Sequence, residues 1–211
     1  MTPLIALQLI AALGDSVTKG VRTDGSVTPE QTFAAVIGQR TGRPVLNAGA
    51  GGNNTAQMLD RLDRDVLAHK PVTVLIMAGL NDAAMIDGGP VARTWPRISV
   101  EAYGRNLGGM VQRVRASGAT PVVMTPNPMT RRYPYANLGA YLGRDINDPL
   151  VSYAAEARDV ARATSACLVD VYAAWIARRD LESLLPDGIH PNPEGHRLIA
   201  DQVIAACLSR R

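Results

Sequence analysis

The sequence has 211 residues, of which 46% are hydrophobic and 19% charged, a composition that suits a globular protein with one substantial core and excludes a disordered or collagen-like chain. Its formal net charge is +3, but the basic residues alternate with acidic ones along predicted helices, as in the run Asp-Arg-Leu-Asp-Arg-Asp over residues 60–65. A nucleic-acid site gathers its cations on one face. This pattern therefore predicts a solvated helix face and no nucleic-acid partner.

The apolar start of the chain, Leu4 to Leu13, has the length of a signal-peptide core and is too short to span a membrane. It lacks a basic segment in front of it and runs directly into Gly14-Asp15-Ser16, so we interpret it as a buried strand. The sequence therefore predicts neither a signal peptide nor a membrane-spanning segment. We expect a cytoplasmic protein by default, or a secreted one if a leader has been removed.

Short apolar runs alternate with amphipathic stretches along the chain. In chain order, the predicted elements are a strand at Leu4 to Ala12, a helix at Glu30 to Thr41, a strand at Pro44 to Ala48, a helix at Thr55 to His69, a strand at Val72 to Ala78, a helix at Val100 to Ala116, a strand at Thr120 to Thr125, a helix at Val151 to Thr164, a strand at Cys167 to Val171 and a helix at Pro193 to Leu208. Continuously apolar strands are typical of a parallel sheet that is covered on both faces. The alternating order predicts a single α/β domain over residues 1–211, built as a three-layer sandwich.

The two cysteines, Cys167 and Cys207, both lie in apolar surroundings. Two thiols are too few for a disulfide scaffold, so buried free thiols are the expectation. The sequence does not decide whether they pair.

Four polar segments that contain glycine follow strands of the predicted sheet. They lie at the carboxyl ends of the strands, where α/β proteins place their functional sites. They are Gly14-Asp15-Ser16-Val17-Thr18 after the first strand, residues 47–54 after the second, Gly79-Leu80-Asn81-Asp82 after the third, and Asp187-Gly188-Ile189-His190-Pro191 after the fifth strand and a short helix. Because these ends meet at one edge of a parallel sheet, we expect the four segments to converge there.

The converging segments contain the parts that ester hydrolysis needs. Ser16, at a strand-to-helix turn, is the candidate nucleophile, and His190 is the candidate base. Asp187, three residues before His190, can orient the imidazole and stabilise its protonated form. Of the other histidines, His69 is predicted to lie on the surface, and His196 to pack inside or to lie on the surface.

Donors for a developing oxyanion are also present. The candidates are the backbone N–H groups of Ser16 and Gly52 and the carboxamide of Asn81. Glycine at position 52 lets the backbone approach a ligand closely.

Taken together, the segments resemble the conserved blocks of the GDSL/SGNH hydrolase family, named for its Ser, Gly, Asn and His. Gly14-Asp15-Ser16 is similar to the nucleophile block, Gly52 to the glycine of the second block, residues 79–82 to G-x-N-D, and residues 187–190 to D-x-x-H. The resemblance covers nearly the whole chain in the right order. It implies a flavodoxin-like fold with a five-stranded parallel sheet, and a serine esterase that needs no metal and no organic cofactor.

Two departures from the family pattern bear on substrate and site. The nucleophile block continues Val17-Thr18 where other members have leucine, which resembles the carbohydrate-esterase and isoamyl-acetate-hydrolase side of the family. Asn53 stands where many relatives have aspartate, and Gly51 is the alternative to Gly52 as oxyanion donor.

Other interpretations of these residues remain open. Ser16 can act as a helix cap, as serines at such turns often do. Asp15 and Asp82 are more readily explained as structural groups than as acid–base groups. The glycine-rich loop at 49–54 lacks the Gly-Lys-Ser/Thr of a phosphate cradle, and no His/Cys cluster supports a metal site formed by Asp15, Asp187 and His190.

The predicted reaction proceeds through an acyl-enzyme on Ser16, with small acyl groups such as acetyl on a sugar or a simple alcohol as the expected substrates. A lysophospholipase or thioesterase of the same family is the nearest alternative, and a non-catalytic carbohydrate-binding module is a further one. Segments 85–96 and 126–135 either line the substrate cleft or form ordinary surface loops. Trp95, Arg131 and Tyr133 are their candidate substrate contacts.

Overall fold

Five parallel strands form the central sheet of the computed structural model, which describes residues 8–20, 22, 24–85 and 95–209. The strands are β1 (Ile10–Gly14), β2 (Val45–Gly49), β3 (Thr73–Met77), β4 (Thr120–Met124) and β5 (Cys167–Val169). Their order in the sheet is β2-β1-β3-β4-β5, and every neighbouring pair is parallel. The predicted flavodoxin-like α/β fold is therefore confirmed.

The helices lie between the strands in the chain and pack on both faces of the sheet. They are α1 (Ser16–Lys19), α2 (Phe33–Thr41), α3 (Thr55–Asp65), α4 (Val100–Ala116), α5 (Asp148–Thr164), α6 (Val171–Ile176), α7 (Leu181–Leu184) and α8 (Pro193–Val203). Short 3₁₀ turns occur at Pro29–Gln31, Leu67–His69 and Gly139–Tyr141, and a π-helical turn at Ile204–Leu208 extends α8.

Each face of the sheet buries its own hydrophobic cluster. Leu13 and Ile76 point to the face covered by α3, α4 and α5, where they belong to a cluster that includes Tyr103. Ile10 and Leu75 point to the other face, where α2, α6 and α8 contribute a cluster that includes Trp175. Because successive residues of the central strands enter opposite clusters, most positions of these strands are apolar, which explains the continuous apolar runs in the sequence.

Several predicted boundaries differ from the observed ones. β1 begins at Ile10 rather than Leu4; residues 4–7 lie outside the described part of the chain. The helix predicted from Glu30 is interrupted at Thr32, whose hydroxyl caps α2 by accepting a hydrogen bond from the Ala35 N–H at 3.3 Å. β5 ends before Asp170 because that carboxylate caps α6.

The expectation that both cysteines are free thiols is wrong, since Cys167 and Cys207 form a disulfide with their Cα atoms 6.0 Å apart. Cys167 begins β5 and Cys207 lies in the π-helical turn, so the bond ties an edge strand to the C-terminal segment. The two residues are 40 positions apart in sequence, and local sequence context carries no signal for such a tertiary contact.

Within the described residues, no helix combines the length and the apolar character needed to cross a membrane.

Candidate active site

The turn after β1 presents Ser16 at the carboxyl edge of the sheet. Asp15 caps the short helix α1, accepting a hydrogen bond from the Val17 N–H at 2.8 Å, so Ser16 is the first residue of that helix and not its cap. A Cβ on Gly49 would lie 2.0 Å from the Lys19 nitrogen, which means that β2 packs directly against α1. The glycine is needed there for this close approach.

Three side chains from distant parts of the chain form a connected hydrogen-bond line. Ser16 Oγ lies 2.8 Å from His190 Nε2, and His190 Nδ1 lies 2.8 Å from Asp187 Oδ2. These distances suit proton transfer from the hydroxyl to the imidazole and orientation of the imidazole by the carboxylate. From the sequence, Ser16, His190 and Asp187 were predicted to lie close together, and the structure brings His190 within hydrogen-bond distance of the other two.

A tight turn fixes Asp187 relative to His190. Asp187 Oδ1 accepts hydrogen bonds from the backbone N–H groups of His190 at 2.8 Å and Ile189 at 3.2 Å. Gly188 has a φ of +88°, and a Cβ there would lie 2.1 Å from the Tyr133 nitrogen. Only glycine fits this turn, which explains the small residue between acid and base.

The electrostatics of the turn favour an ionised Asp187. Partial burial raises the pKa of its carboxyl, but the hydrogen bonds from the side chain and backbone of His190 outweigh burial and hold the pKa well below its usual range. A carboxylate beside Nδ1 stabilises the imidazolium that forms when His190 accepts a proton.

Asp15 anchors the carboxamide of Asn81. Asn81 Nδ2 donates to Asp15 Oδ2 at 3.4 Å, which leaves its second N–H for another acceptor. Burial raises the pKa of Asp15 to about 6, an effect that the Val17 hydrogen bond and the nearby His190 oppose. Asp15 therefore links the nucleophile turn to the loop that carries Asn81.

Asp82 ties the third segment to the start of α3. Its Oδ1 accepts hydrogen bonds from the Thr55 N–H at 3.0 Å and the Thr55 hydroxyl at 2.5 Å. Burial raises the pKa of Asp82, which the Thr55 hydrogen bonds oppose. The carboxylate is fully buried, and its hydrogen bonds fix the position of the loop that carries Asn81.

Arg61 contradicts the prediction of a solvated helix face, since it is 8% exposed. Its guanidinium donates to the carbonyls of Gly14 and Ala48, each at 2.8 Å, and to Asn53 Oδ1 at 2.8 Å. One side chain thus joins the nucleophile turn to the loop after β2. The neighbouring Arg64 is exposed, as the alternating charge pattern predicted. That pattern does not distinguish Arg61 from Arg64, so it did not reveal the role of Arg61.

The two candidate glycines of the second segment differ in backbone conformation. Gly52 has a φ of +76°, while Gly51 lies outside the left-handed region. Both are exposed, and Arg61 holds the adjacent Asn53. A left-handed φ is the stronger reason for glycine at position 52 than at position 51.

A small cavity of about 50 Å³ opens at Ser16. Asn81, Tyr133, Tyr141, Met129 and Ile189 contribute to its lining. Among the described residues, the cavity therefore offers room for a small group beside the Ser16 hydroxyl.

Of the three candidate substrate contacts, Tyr133 lines this cavity and the other two lie elsewhere. Trp95 is 63% exposed. Arg131 donates to the carbonyls of Ala136 at 3.0 Å and Arg144, so its guanidinium braces the loop that follows β4. Tyr141, which the sequence did not single out, reaches the cavity because that loop folds back over the sheet edge.

The remaining histidines have structural explanations. His69 is exposed at the end of a 3₁₀ turn. His196 is buried, its Nδ1 accepts a hydrogen bond from the Phe33 N–H at 3.3 Å, and burial lowers its pKa to about 4. It is therefore a neutral packing residue near pH 7. Among the described residues, no group of three or more His, Cys, Asp or Glu side chains is placed to hold a metal ion.

Comparison with known proteins gives a family match over most of the chain. The model of the GDSL-like lipase/acylhydrolase family matches residues 12–198. The isoamyl acetate-hydrolyzing esterase 1 homolog of Homo sapiens is 29% identical over 88% of this chain and 75% of its own length. An acetylxylan esterase of Geobacillus stearothermophilus is 26% identical over 74% of this chain and 68% of its own length.

Two further proteins extend the comparison. The thioesterase 1/protease 1/lysophospholipase L1 of Escherichia coli (strain K12) is 27% identical over 93% of this chain and 81% of its own length. The crystal structure of a lipase/acylhydrolase from Enterococcus faecalis superposes with a TM-score of 0.76 at 23% identity, covering 94% of both chains. At that identity the superposition shows the shared fold.

Proposed function

Since the chain belongs to the GDSL-like lipase/acylhydrolase family and is a carboxylic ester hydrolase, we propose that Ser16, His190 and Asp187 carry out the hydrolysis through an acyl-enzyme. The observation that carries this proposal is the unbroken line of hydrogen bonds from Ser16 Oγ through His190 to Asp187, with both side-chain contacts at 2.8 Å. Such a line supplies a nucleophile, a base and a group that orients the base.

The first half of the reaction forms the acyl-enzyme. Ser16 Oγ attacks the ester carbonyl carbon while His190 Nε2 takes the hydroxyl proton. The carbonyl oxygen becomes an oxyanion, which Asn81 Nδ2 and the Ser16 and Gly52 N–H groups are proposed to stabilise. The intermediate then collapses, the bond to the alcohol oxygen breaks, and His190 returns its proton to the leaving alcohol.

The second half releases the acid. A water molecule gives a proton to His190 and attacks the acyl carbon on Ser16. The second oxyanion collapses, the bond to Ser16 Oγ breaks, and His190 returns the proton to the serine. Asp187 stays ionised throughout, in keeping with its lowered pKa.

The substrates proposed for this site are short acyl esters, such as acetates, of sugars or simple alcohols. The cavity of about 50 Å³ beside Ser16 accommodates a small acyl group. Tyr133 and Tyr141 pack edge to face at its wall, with their ring centroids 6.2 Å apart. The activities named for the isoamyl acetate and acetylxylan relatives agree with an acetyl-sized group.

Hydrolysis of p-nitrophenyl esters of increasing acyl length tests the substrate proposal. We expect kcat/KM to peak between acetate and butyrate and to fall for longer chains, because the cavity beside Ser16 is small and the two tyrosines line it. Tyr141→Ala removes part of the wall and should move the peak to longer chains, each additional buried methylene contributing up to about 0.8 kcal/mol.

Tyr141→Phe is the matched control, because it keeps the ring and loses only the hydroxyl that accepts a hydrogen bond from the Met85 N–H at 3.1 Å. It should keep the short-chain preference. A wild-type rate that climbs steadily to octanoate and beyond would discard the short-acyl proposal and favour the thioesterase or lysophospholipase alternative.

Asn81 gives a separate test of the oxyanion proposal. Asn81→Ala is expected to lower kcat by about 10²- to 10³-fold with a much smaller change in KM, because the carboxamide acts on charge that develops only in the transition state. Steady-state kinetics on p-nitrophenyl acetate measure both constants. The exposed Asn137→Ala serves as control, and a loss confined to KM would show that Asn81 binds the ground-state ester instead.

A further inference from the structure

Arg22 binds the carboxylate that orients the proposed base. Its Nη2 donates to Asp187 Oδ2 at 2.6 Å, the same oxygen that His190 Nδ1 reaches at 2.8 Å. The other oxygen accepts the two backbone N–H groups of Ile189 and His190. The carboxylate thus accepts four hydrogen bonds, which fills the lone-pair sites of its two oxygens.

A closed turn holds Arg22 in this position. Its backbone N–H donates to the Val27 carbonyl at 3.1 Å, and its carbonyl accepts from the Gly25 N–H at 3.1 Å. Gly25 has a φ of +76°, which favours glycine at this point of the turn. The turn starts just after α1, the helix that begins with Ser16. It places the Arg22 guanidinium against the carboxylate of Asp187, which lies 165 residues later in the sequence.

The ion pair is partly sheltered, since the side chains of Arg22 and Asp187 are each 29% exposed. Charge-assisted hydrogen bonds of this kind are short and directional. With one oxygen shared between Arg22 and His190, rotation of the carboxylate would break two contacts at once.

From this geometry, and on the basis of the proposed triad, we infer that Arg22 is a positioning residue that acts through Asp187. It locks the carboxylate plane against the imidazole, which keeps His190 Nε2 aimed at Ser16 Oγ.

Arg22 lies outside the proposed triad, so it can be changed without altering Ser16, His190 or Asp187.

The test is the steady-state kinetics of Arg22→Met and Arg22→Lys on p-nitrophenyl acetate. Arg22→Met should lower kcat about tenfold through looser orientation of the base, with a much smaller change in KM. Arg22→Lys keeps a positive charge beside Asp187 but lacks the planar guanidinium, and should recover only part of kcat.

Arg178→Met is the matched control, since Arg178 forms an ion pair with Asp180 at 2.7 Å and has no contact with Asp187 among the described residues. Its kcat should not change. If Arg22→Met loses thermal stability while kcat is unchanged, or if its loss is confined to KM, the inference is overturned. Either result leaves the proposed function standing, because that depends on the loss of turnover in Ser16→Ala.

Discussion

Replacing Ser16 with alanine is expected to lower kcat on p-nitrophenyl acetate by on the order of 10⁴-fold or more, without loss of stability. The hydroxyl is the atom that attacks the ester, and no neighbouring group can substitute for it in an acyl-enzyme mechanism. The stability part of the prediction follows from the cap of α1, which is Asp15 rather than Ser16.

Circular dichroism and thermal unfolding check that Ser16→Ala keeps the wild-type fold and Tm. Ser26→Ala provides a matched control, because Ser26 is an exposed serine in the nearby turn and, within the described part of the chain, its hydroxyl donates only to Asp24. A Ser16→Ala protein that retains substantial turnover would remove the basis of the proposed mechanism. A Ser16→Ala protein that loses stability would mean instead that the hydroxyl supports the turn.

Replacing His190 with alanine is expected to cost on the order of 10³- to 10⁴-fold in kcat. Without the imidazole, Ser16 keeps its proton and the leaving alcohol receives none.

The other two histidines serve as controls for His190. His69→Ala changes an exposed side chain and should leave kcat as it is. His196→Gln changes a buried residue whose Nδ1 accepts a hydrogen bond from the Phe33 N–H, so it should affect Tm more than kcat. If His190→Ala remains active while His69→Ala or His196→Gln does not, the base has been assigned to the wrong residue.

The general architecture could be predicted because its signals are local. Five apolar runs gave the five strands, and the polar segments after them marked the edge where Ser16, Asn81 and His190 lie. In a parallel sheet, a position at the end of a strand is enough to place a residue at that edge. The spacing of Asp187 and His190 likewise reflects one turn, which the structure shows closed by two backbone hydrogen bonds to the carboxylate.

The features that could not be predicted from the sequence depend on contacts between segments that are far apart in the chain. Arg61 occupies an alternating charge pattern typical of an exposed face, yet it binds carbonyls at the ends of β1 and β2. Arg22 contacts an acid 165 residues away, and the Cys167–Cys207 bond spans 40. Tyr141 lines the cavity because the long loop after β4 folds back over the edge of the sheet. In each case the partner is set by tertiary packing rather than by neighbouring residues.

Labelling with a fluorophosphonate tests the central claim most directly, because the reagent phosphonylates only a serine that is activated as a nucleophile. The account predicts that one equivalent adds to the wild-type protein, that peptide mass spectrometry places it on Ser16, and that Ser16→Ala takes up none. It also predicts that His190→Ala is labelled far more slowly, since the hydroxyl then lacks its base. Stoichiometric labelling of another residue, or equal labelling of wild type and Ser16→Ala, would contradict the assignment of Ser16 as the nucleophile.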